Sequence, residues 1–174
     1  MPKKPCGEAI PKFALDYIPK EMGKGFLLNK IKRAVFYFNG VFIRELKDMP
    51  LLQGYIIDKH LFLKELAEIV MSYGGDIVWD RFIKYDYVMK KSTEFDYILD
   101  ASGIGIIGRK FLDYKKYKTI PVLQAYAEGN NAVPDDTIVL WGTDKGYAWV
   151  FPRGDNFNIG VGGVYRDPKV LYET

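Results

Sequence analysis

The residues able to do chemistry are few and widely separated in this chain. Its one cysteine, Cys6, lies between Pro5 and Gly7, and its one histidine, His60, stands at the expected start of a helix. A metal site built from histidine and cysteine is therefore all but excluded, and nothing places a nucleophilic serine beside His60. We interpret His60 as a surface or capping residue. Cys6 is either incidental or held against a ligand by the irregular backbone that its proline and glycine neighbours impose.

A glycine-rich stretch follows an apolar segment in the middle of the chain. Residues 97 to 99 run into Asp100-Ala101-Ser102-Gly103, and glycines stand at 103, 105 and 108, the spacing of a dinucleotide-binding turn. Spacing alone favours a plain glycine-rich turn, because the motif also needs a strand before it and a helix after it. We expect a strand over residues 95 to 99. The turn would then lie at the carboxyl end of a strand, where α/β sheets hold ligands.

A third feature is a row of aromatic residues near the carboxyl end. Tyr147, Trp149 and Phe151 occupy alternate positions, so a strand over this stretch would place all three on one face. Such a row either fills a core or forms the wall of a slot for an apolar ligand.

The elements that would position these residues follow from local patterns. Asn39-Gly40 predicts a hairpin within residues 32 to 46, and Asp58 and Gly74-Gly75 are expected to cap and end a helix over residues 61 to 71. Residues 1 to 30 are interpreted as a connecting segment because prolines and glycines interrupt them. Further strands are expected at residues 76 to 79, 82 to 91 and 95 to 99; a basic helix is expected near 109 to 118, and an antiparallel meander at 120 to 128, 137 to 141, 146 to 151 and 157 to 164.

Length and charge limit the class of protein. The 174 residues suit one domain or little more, and 25 Lys and Arg against 22 Asp and Glu give a net charge of +3, which gives no reason to expect a nucleic-acid partner. No apolar run reaches the length of about 18 residues that a membrane span needs, and the N-terminus lacks the apolar region of a secretory signal. We therefore expect a cytoplasmic protein, with peripheral contact to a membrane left open.

Taken in order, four stretches resemble the geranylgeranyl reductase family of FAD-dependent oxidoreductases, especially the archaeal enzymes that saturate isoprenoid chains of membrane lipids. Residues 4 to 8 look like the family's cysteine motif beside the flavin, and residues 54 to 59 resemble its flavin-contacting segment, with Lys59 where the family has arginine. Residues 100 to 103 are similar to its Ala-Asp-Gly motif, with Ser102 at the Asp position. The most specific match is to the substrate-side signature, at residues 147 to 152 and 158 to 162.

The resemblance implies FAD as cofactor, Cys6 as the catalytic residue and no metal. The implied cofactor-binding residues are Cys6, Gly7, Lys59, Ile83, Ala101, Ser102 and Gly103. The implied substrate-binding residues are Tyr147, Trp149, Phe151, Pro152, Gly160 and Gly162. The expected fold is α+β or α/β, with an incomplete layered FAD-binding domain (1–30 and 54–118) and an antiparallel-sheet substrate-binding part (31–53 and 119–174).

The chain matches only the middle of that family, without the N-terminal Gly-x-Gly-x-x-Gly turn and the later Gly-Asp motif that grip FAD. Its implied partners are an isoprenoid or lipid substrate and, through a sheet edge expected at residues 76 to 79 and 95 to 99, either a second copy or a missing N-terminal half. An alternative within the same class of enzyme is the reduction or oxidation of another apolar substrate. The alternative is a non-catalytic hydrophobic-ligand-binding or interaction module, a truncated relative without FAD.

Overall fold

The computed structural model describes residues 6–103, 120–129 and 133–164. The chain divides into two units, one formed by Met1–Ile77 with Ile120–Thr174 and the other by Val78–Thr119. The expected basic helix, Gly105 and Gly108 lie outside the described residues. The fold is of the mixed α+β class, as the sequence predicts.

The first unit contains nine of the described strands and one α-helix. The strands are β1 (Ala9–Pro11), β2 (Leu27–Ile31), β3 (Arg33–Phe38), β4 (Val41–Lys47), β5 (Gly54–Ile57), β6 (Val122–Glu128), β7 (Thr137–Gly142), β8 (Gly146–Arg153) and β9 (Asn156–Gly163); the helix is α1 (Lys59–Ser72). They form a three-stranded sheet of order β1-β5-β2 and a six-stranded sheet of order β4-β3-β7-β8-β9-β6.

The predicted hairpin is confirmed as β3 and β4. Asn39 and Gly40 both have positive φ, 47° and 80°, which is the backbone that a tight two-residue hairpin turn requires. β3 also runs parallel to β7, so the hairpin extends the large sheet and leaves β4 as its exposed edge.

The predicted meander is confirmed for three strands and corrected for the fourth. β7, β8 and β9 are antiparallel neighbours in chain order, but β6 pairs with β9 rather than β7. Consecutive strands often neighbour one another without having to do so, and here β6 completes the far side of β9. This placement brings Gln124 and Tyr126 of β6 next to Gly160 and Asn158 of β9.

The interpretation of residues 1 to 30 as a connecting segment is partly wrong. This stretch contributes β1 and β2, which flank β5 because their backbone groups pair with it on both sides. Ile31 and Ile56 from this small sheet form a core cluster with Trp149 and Phe151 of β8. The two sheets therefore share a core.

Helix α1 begins and ends where the sequence predicts. The Asp58 carboxylate accepts hydrogen bonds from the backbone N–H groups of His60 and Leu61, and Gly74 takes the positive φ of 82° typical of a helix C-terminus. Apolar residues of α1, including Leu61 and Phe62, pack against a second cluster of Met22, Phe26 and Ile57.

The strands expected at residues 76 to 79, 82 to 91 and 95 to 99 are wrong. Residues 85 to 91 form a second helix, α2 (Tyr85–Lys91), and neither of the other two stretches is a strand. Asp86 in the first turn of α2 and Lys90 and Lys91 in its last turn complement the helix dipole, a signal that the apolar and aromatic content of the stretch obscured. The sheet edge expected there is therefore not present in the described residues.

Candidate functional site

One face of the six-stranded sheet carries the aromatic row. Residues paired directly across neighbouring antiparallel strands point to the same face. Trp149 pairs with Gly160 and Phe151 pairs with Asn158. On the other side of β9, Asn158 pairs with Tyr126 of β6. The row, Asn158 and Tyr126 consequently share one face.

Residues 6 to 8, which we call the Cys6 segment, lie across this same face. The Cys6 backbone N–H donates to Gln124 Oε1 at 2.5 Å, and Asn158 Nδ2 donates to the Cys6 carbonyl at 2.8 Å. A Cβ on Gly7 would lie 2.8 Å from Phe151 Cε2, so this residue must be small for the segment to rest on the ring. The cysteine motif and the stretch that begins at Asn158, more than a hundred residues apart in sequence, are therefore in contact.

Glu8 anchors the segment through a buried carboxylate. The residue is 5% exposed, and its carboxylate accepts from Arg153 Nε at 2.7 Å, Tyr126 Oη at 3.0 Å and Asn158 Nδ2 at 3.2 Å. Its φ of 60° is unfavourable for a residue other than glycine and costs about 1 kcal/mol or more. The strain is tolerated because these hydrogen bonds and the bond from Ile57 N to the Glu8 carbonyl hold the backbone.

Arg153 extends the network to the start of α1. Its Nη2 lies 3.0 Å from Asp58 Oδ2, while Asp58 Oδ1 caps the helix. Burial of Asp58 acts to raise its pKa, but the Leu61 N–H and the charge of Arg153 outweigh burial and hold the pKa below its usual value. Lys59, half-buried and first in α1, is therefore next to a residue of the network.

Tyr126 completes the polar cluster on the β6 side. The Arg153 guanidinium carbon lies 4.8 Å from the centre of the Tyr126 ring. Although the residue is 44% exposed, partial desolvation of its phenol and the hydrogen bond to the Glu8 carboxylate raise the Tyr126 pKa. The phenol therefore stays protonated, and a donor to Glu8, throughout the neutral range.

The structure places most of the aromatic row in the core. Successive ring centres along the row lie 5.9 and 6.3 Å apart, so the three side chains share a face as predicted. Trp149 and Phe151 are buried, and Pro152 is almost fully enclosed, whereas Tyr147 is 45% exposed. Only the Tyr147 end of the row is open to a ligand.

Gly160 and Gly162 lie directly beneath the rings of the row. A Cβ on Gly160 would overlap the Trp149 indole, and a Cβ on Gly162 would lie 3.0 Å from Tyr147 Cζ. Aromatic rings commonly cover strand glycines in this way. The rings that these two glycines accommodate belong to the protein itself.

The remaining cofactor-binding predictions fall in the second unit, which is described by itself. Ile83 is half-buried, and Ala101, Ser102 and Gly103 are exposed. The Ser102 N–H donates to Asp100 Oδ1 at 2.9 Å and Gly103 has a φ of 71°, which describes a local turn. No strand precedes this turn, so the context that a dinucleotide-binding turn requires is not met in the described residues.

Sequence reasoning missed the polar residues that join the site. Glu8, Asn158 and Arg153 were not among the predicted site residues, although the first two stand inside the motifs quoted above. The available signal for Asn158 was a polar residue between Phe157 and Ile159 in an expected strand. Its partners, however, lie too far away in sequence for any pattern to reveal.

Within residues 6–103, 120–129 and 133–164, no group of three or more His, Cys, Asp or Glu side chains is arranged to hold a metal ion. The same part of the chain contains no helix that is long and apolar enough to cross a membrane.

Comparison with solved structures shows a likeness in fold alone. The crystal structure of a geranylgeranyl bacteriochlorophyll reductase-like protein from Thermoplasma acidophilum matches 97% of this chain with a TM-score of 0.63 and 17% sequence identity. The chain spans 49% of that protein, about half its length. No family model matches the chain, and no curated protein matches it either.

Proposed function

We propose that this chain is the central, substrate-side portion of a flavin-dependent oxidoreductase that saturates C=C bonds of isoprenoid chains. The observation that carries the proposal is the position of the Cys6 segment on the face of the sheet that bears the aromatic row. The likeness in fold to the Thermoplasma reductase-like protein supports the same kind of protein at a coarser level.

In this proposal each part of the face has a separate task. Cys6 would lie beside the reacting carbon of the substrate, within a segment fixed by Gln124 and Asn158. Tyr147, the exposed end of the row, would contact the apolar chain. The buried core beneath them gives the face an apolar floor, and an apolar, dry site is what reduction of an unactivated double bond needs.

The described residues fit the cofactor only in part. A bound flavin supplies the hydride chemistry, and the protein orients it. The face around Cys6 offers polar backbone and side-chain groups, but the first N–H groups of α1 are already used by Asp58, and the turn at Gly103 follows no strand. The described residues therefore provide no grip for the FAD pyrophosphate.

The alternative is a module that binds an apolar ligand without a flavin. The same lack of a pyrophosphate grip in the described residues favours it. The two functions differ in one measurable property, because only the first requires the protein to bind a flavin ring.

A flavin titration of the purified chain tests the proposal. We expect FMN and FAD to bind in the micromolar range with similar affinity, since the ring rather than the pyrophosphate would be held; flavin fluorescence measures both. Lys59→Ala should weaken binding, while Lys64→Ala, at a residue of the same helix whose side chain is 65% exposed, should not. Reduction of geranylgeraniol by the complex with dithionite-reduced flavin, followed by mass spectrometry, is the next assay.

Two results would overturn the proposal. The first is no saturable binding of either flavin to the folded chain. The second is binding that Lys59→Ala and Lys64→Ala weaken equally. If a fluorescent polyene fatty acid then bound without any flavin, and Tyr147→Ala weakened that binding, the alternative would take its place.

A further inference from the structure

Asn158 occupies the point where the Cys6 segment and the aromatic row are joined. It is 0% exposed, on the strand between β8 and β6. Its Oδ1 accepts from Trp149 Nε1 at 2.9 Å, and its Nδ2 donates to the Cys6 carbonyl at 2.8 Å and to Glu8 Oε2 at 3.2 Å. One side-chain amide therefore connects the buried indole to the cysteine segment.

The partners fix the orientation of this amide. The indole N–H can only donate, so Oδ1 must face Trp149. The Cys6 carbonyl and the Glu8 carboxylate can only accept, so Nδ2 must face them. A rotated amide, or a carboxylate of the same shape, would set oxygen against oxygen on the Cys6 side.

The cysteine end of the segment has three described hydrogen bonds, of which the one from the Glu8 N–H to Cys6 Sγ, 3.4 Å long, lies within the segment itself. Gln124 holds the Cys6 N–H, and Arg153 and Tyr126 hold the Glu8 carboxylate. Asn158 is the side chain that donates a hydrogen bond to the Cys6 carbonyl. Without it, the Gln124 contact and the bond from the Glu8 N–H to Sγ remain, but the peptide between Cys6 and Gly7 loses the contact that ties its carbonyl to β9.

We propose that Asn158 is a positioning residue, which fixes the Cys6 thiol relative to the aromatic row by holding Trp149 and the Cys6 carbonyl with one amide. The inference rests on the proposed function for the importance of Cys6. It predicts in addition that the orientation of the indole and the accessibility of the thiol are coupled.

The single cysteine provides a direct test, because thiol labelling with Ellman's reagent reports on Cys6 alone. In the native protein we expect Asn158→Asp and Asn158→Ala to accelerate labelling by about tenfold or more through local opening. Trp149→Phe, which keeps a ring and removes the N–H, should accelerate it by a smaller factor. Asn156→Ala is the matched control on the same strand, since Asn156 Oδ1 is buried without a hydrogen-bond partner; it should stay within about twofold of wild type.

A denaturant series separates positioning from simple loss of stability. Labelling through local opening should depend little on urea, whereas labelling through global unfolding should follow the full unfolding slope. The inference is overturned if the Asn158 variants label at the wild-type rate, or if their faster labelling tracks global unfolding. If neither Asn158 variant folds, Trp149→Phe decides, with an unchanged rate counting against the coupling. The labelling assay contains no flavin, so its result stands even if the flavin titration fails.

Discussion

Replacement of Arg153 by Met should reveal how much the buried ion pair stabilises the first unit. Arg153 is 17% exposed and its partner Glu8 only 5%, with 2.7 Å between Nε and Oε2. Removal of one member of a fully buried pair leaves an uncompensated charge and costs about 3–5 kcal/mol. The partial exposure of the guanidinium, and the hydrogen bonds that Glu8 retains from Tyr126 and Asn158, reduce the expected loss to about 2–3 kcal/mol.

Urea unfolding of the wild type, Arg153→Met, Glu8→Gln and the double variant measures this loss of stability and shows how much of it comes from the ion pair. Glu8→Gln alone should be milder than Arg153→Met, because the guanidinium that it leaves is more exposed than Glu8 and keeps its ion pair with Asp58. The double variant should be more stable than the sum of the two single losses predicts, by about 1–2 kcal/mol, because residues in direct contact do not behave additively.

The more exposed ion pair between Arg33 and Asp136 is the matched control. Its two atoms are as close, at 2.8 Å, but the side chains are 31% and 32% exposed. Arg33→Met should therefore destabilise the protein far less than Arg153→Met, since solvent screens the pair. Equal losses for the two variants, or additive effects of the Glu8 and Arg153 substitutions, would refute the account of the Glu8 network given above.

Three further predictions follow from other parts of the first unit. Gly160→Ala forces a Cβ into the Trp149 indole and should cost about 1–3 kcal/mol in urea unfolding, whereas Gly25→Ala, whose Cβ would lie 3.9 Å from its nearest neighbour, should cost less; equal losses would contradict the close contact. Asp58 has a lowered pKa, so the stability lost in Asp58→Asn, which can still cap the helix, should be largest above about pH 4 and should vanish as the pH falls through the folded pKa. β4 lies at an edge of the six-stranded sheet, and its residues Val41, Phe42 and Ile43 are apolar and exposed. We therefore predict self-association through this edge, which Ile43→Lys should reduce. Light scattering at micromolar concentration measures it, and a monodisperse wild-type monomer would count against it.

The sequence predicted elements with a strong local signal. Asn39-Gly40 defines a hairpin turn, Asp58 a helix cap, and the alternation from Tyr147 to Phe151 a strand, because each depends on neighbouring residues only. Such signals are independent of the rest of the fold. Their confirmation in the structure reflects that independence.

The wrong strand predictions lie where apolar composition was the signal for a strand and no pairing partner was identified. Residues 82 to 91 and 95 to 99 are rich in aromatic and aliphatic side chains, which made strands plausible. Yet Phe82, Tyr97 and Leu99 are 87%, 88% and 94% exposed. A strand needs a partner as well as a composition, and composition cannot reveal the absence of one.

The candidate site shows the same limit at longer range. Cys6 and Gly7 could be selected by resemblance, but their contacts with Asn158 and Phe151 depend on how the sheet orders its strands. The position of β6 beside β9, which brings Gln124 to Cys6, departs from the simple meander that the turns suggested. No local pattern contains that order.

The burial of the row also determines which substitutions can inform on function. Trp149 and Phe151 join the core shared by the two sheets, so their removal would destabilise the protein and reduce binding indirectly. Tyr147 differs because nearly half of it is exposed. A loss of ligand binding in a Tyr147 variant can therefore be separated from a loss of folding. Substitution at this residue distinguishes a row that binds an apolar chain from a row that only fills the protein's core.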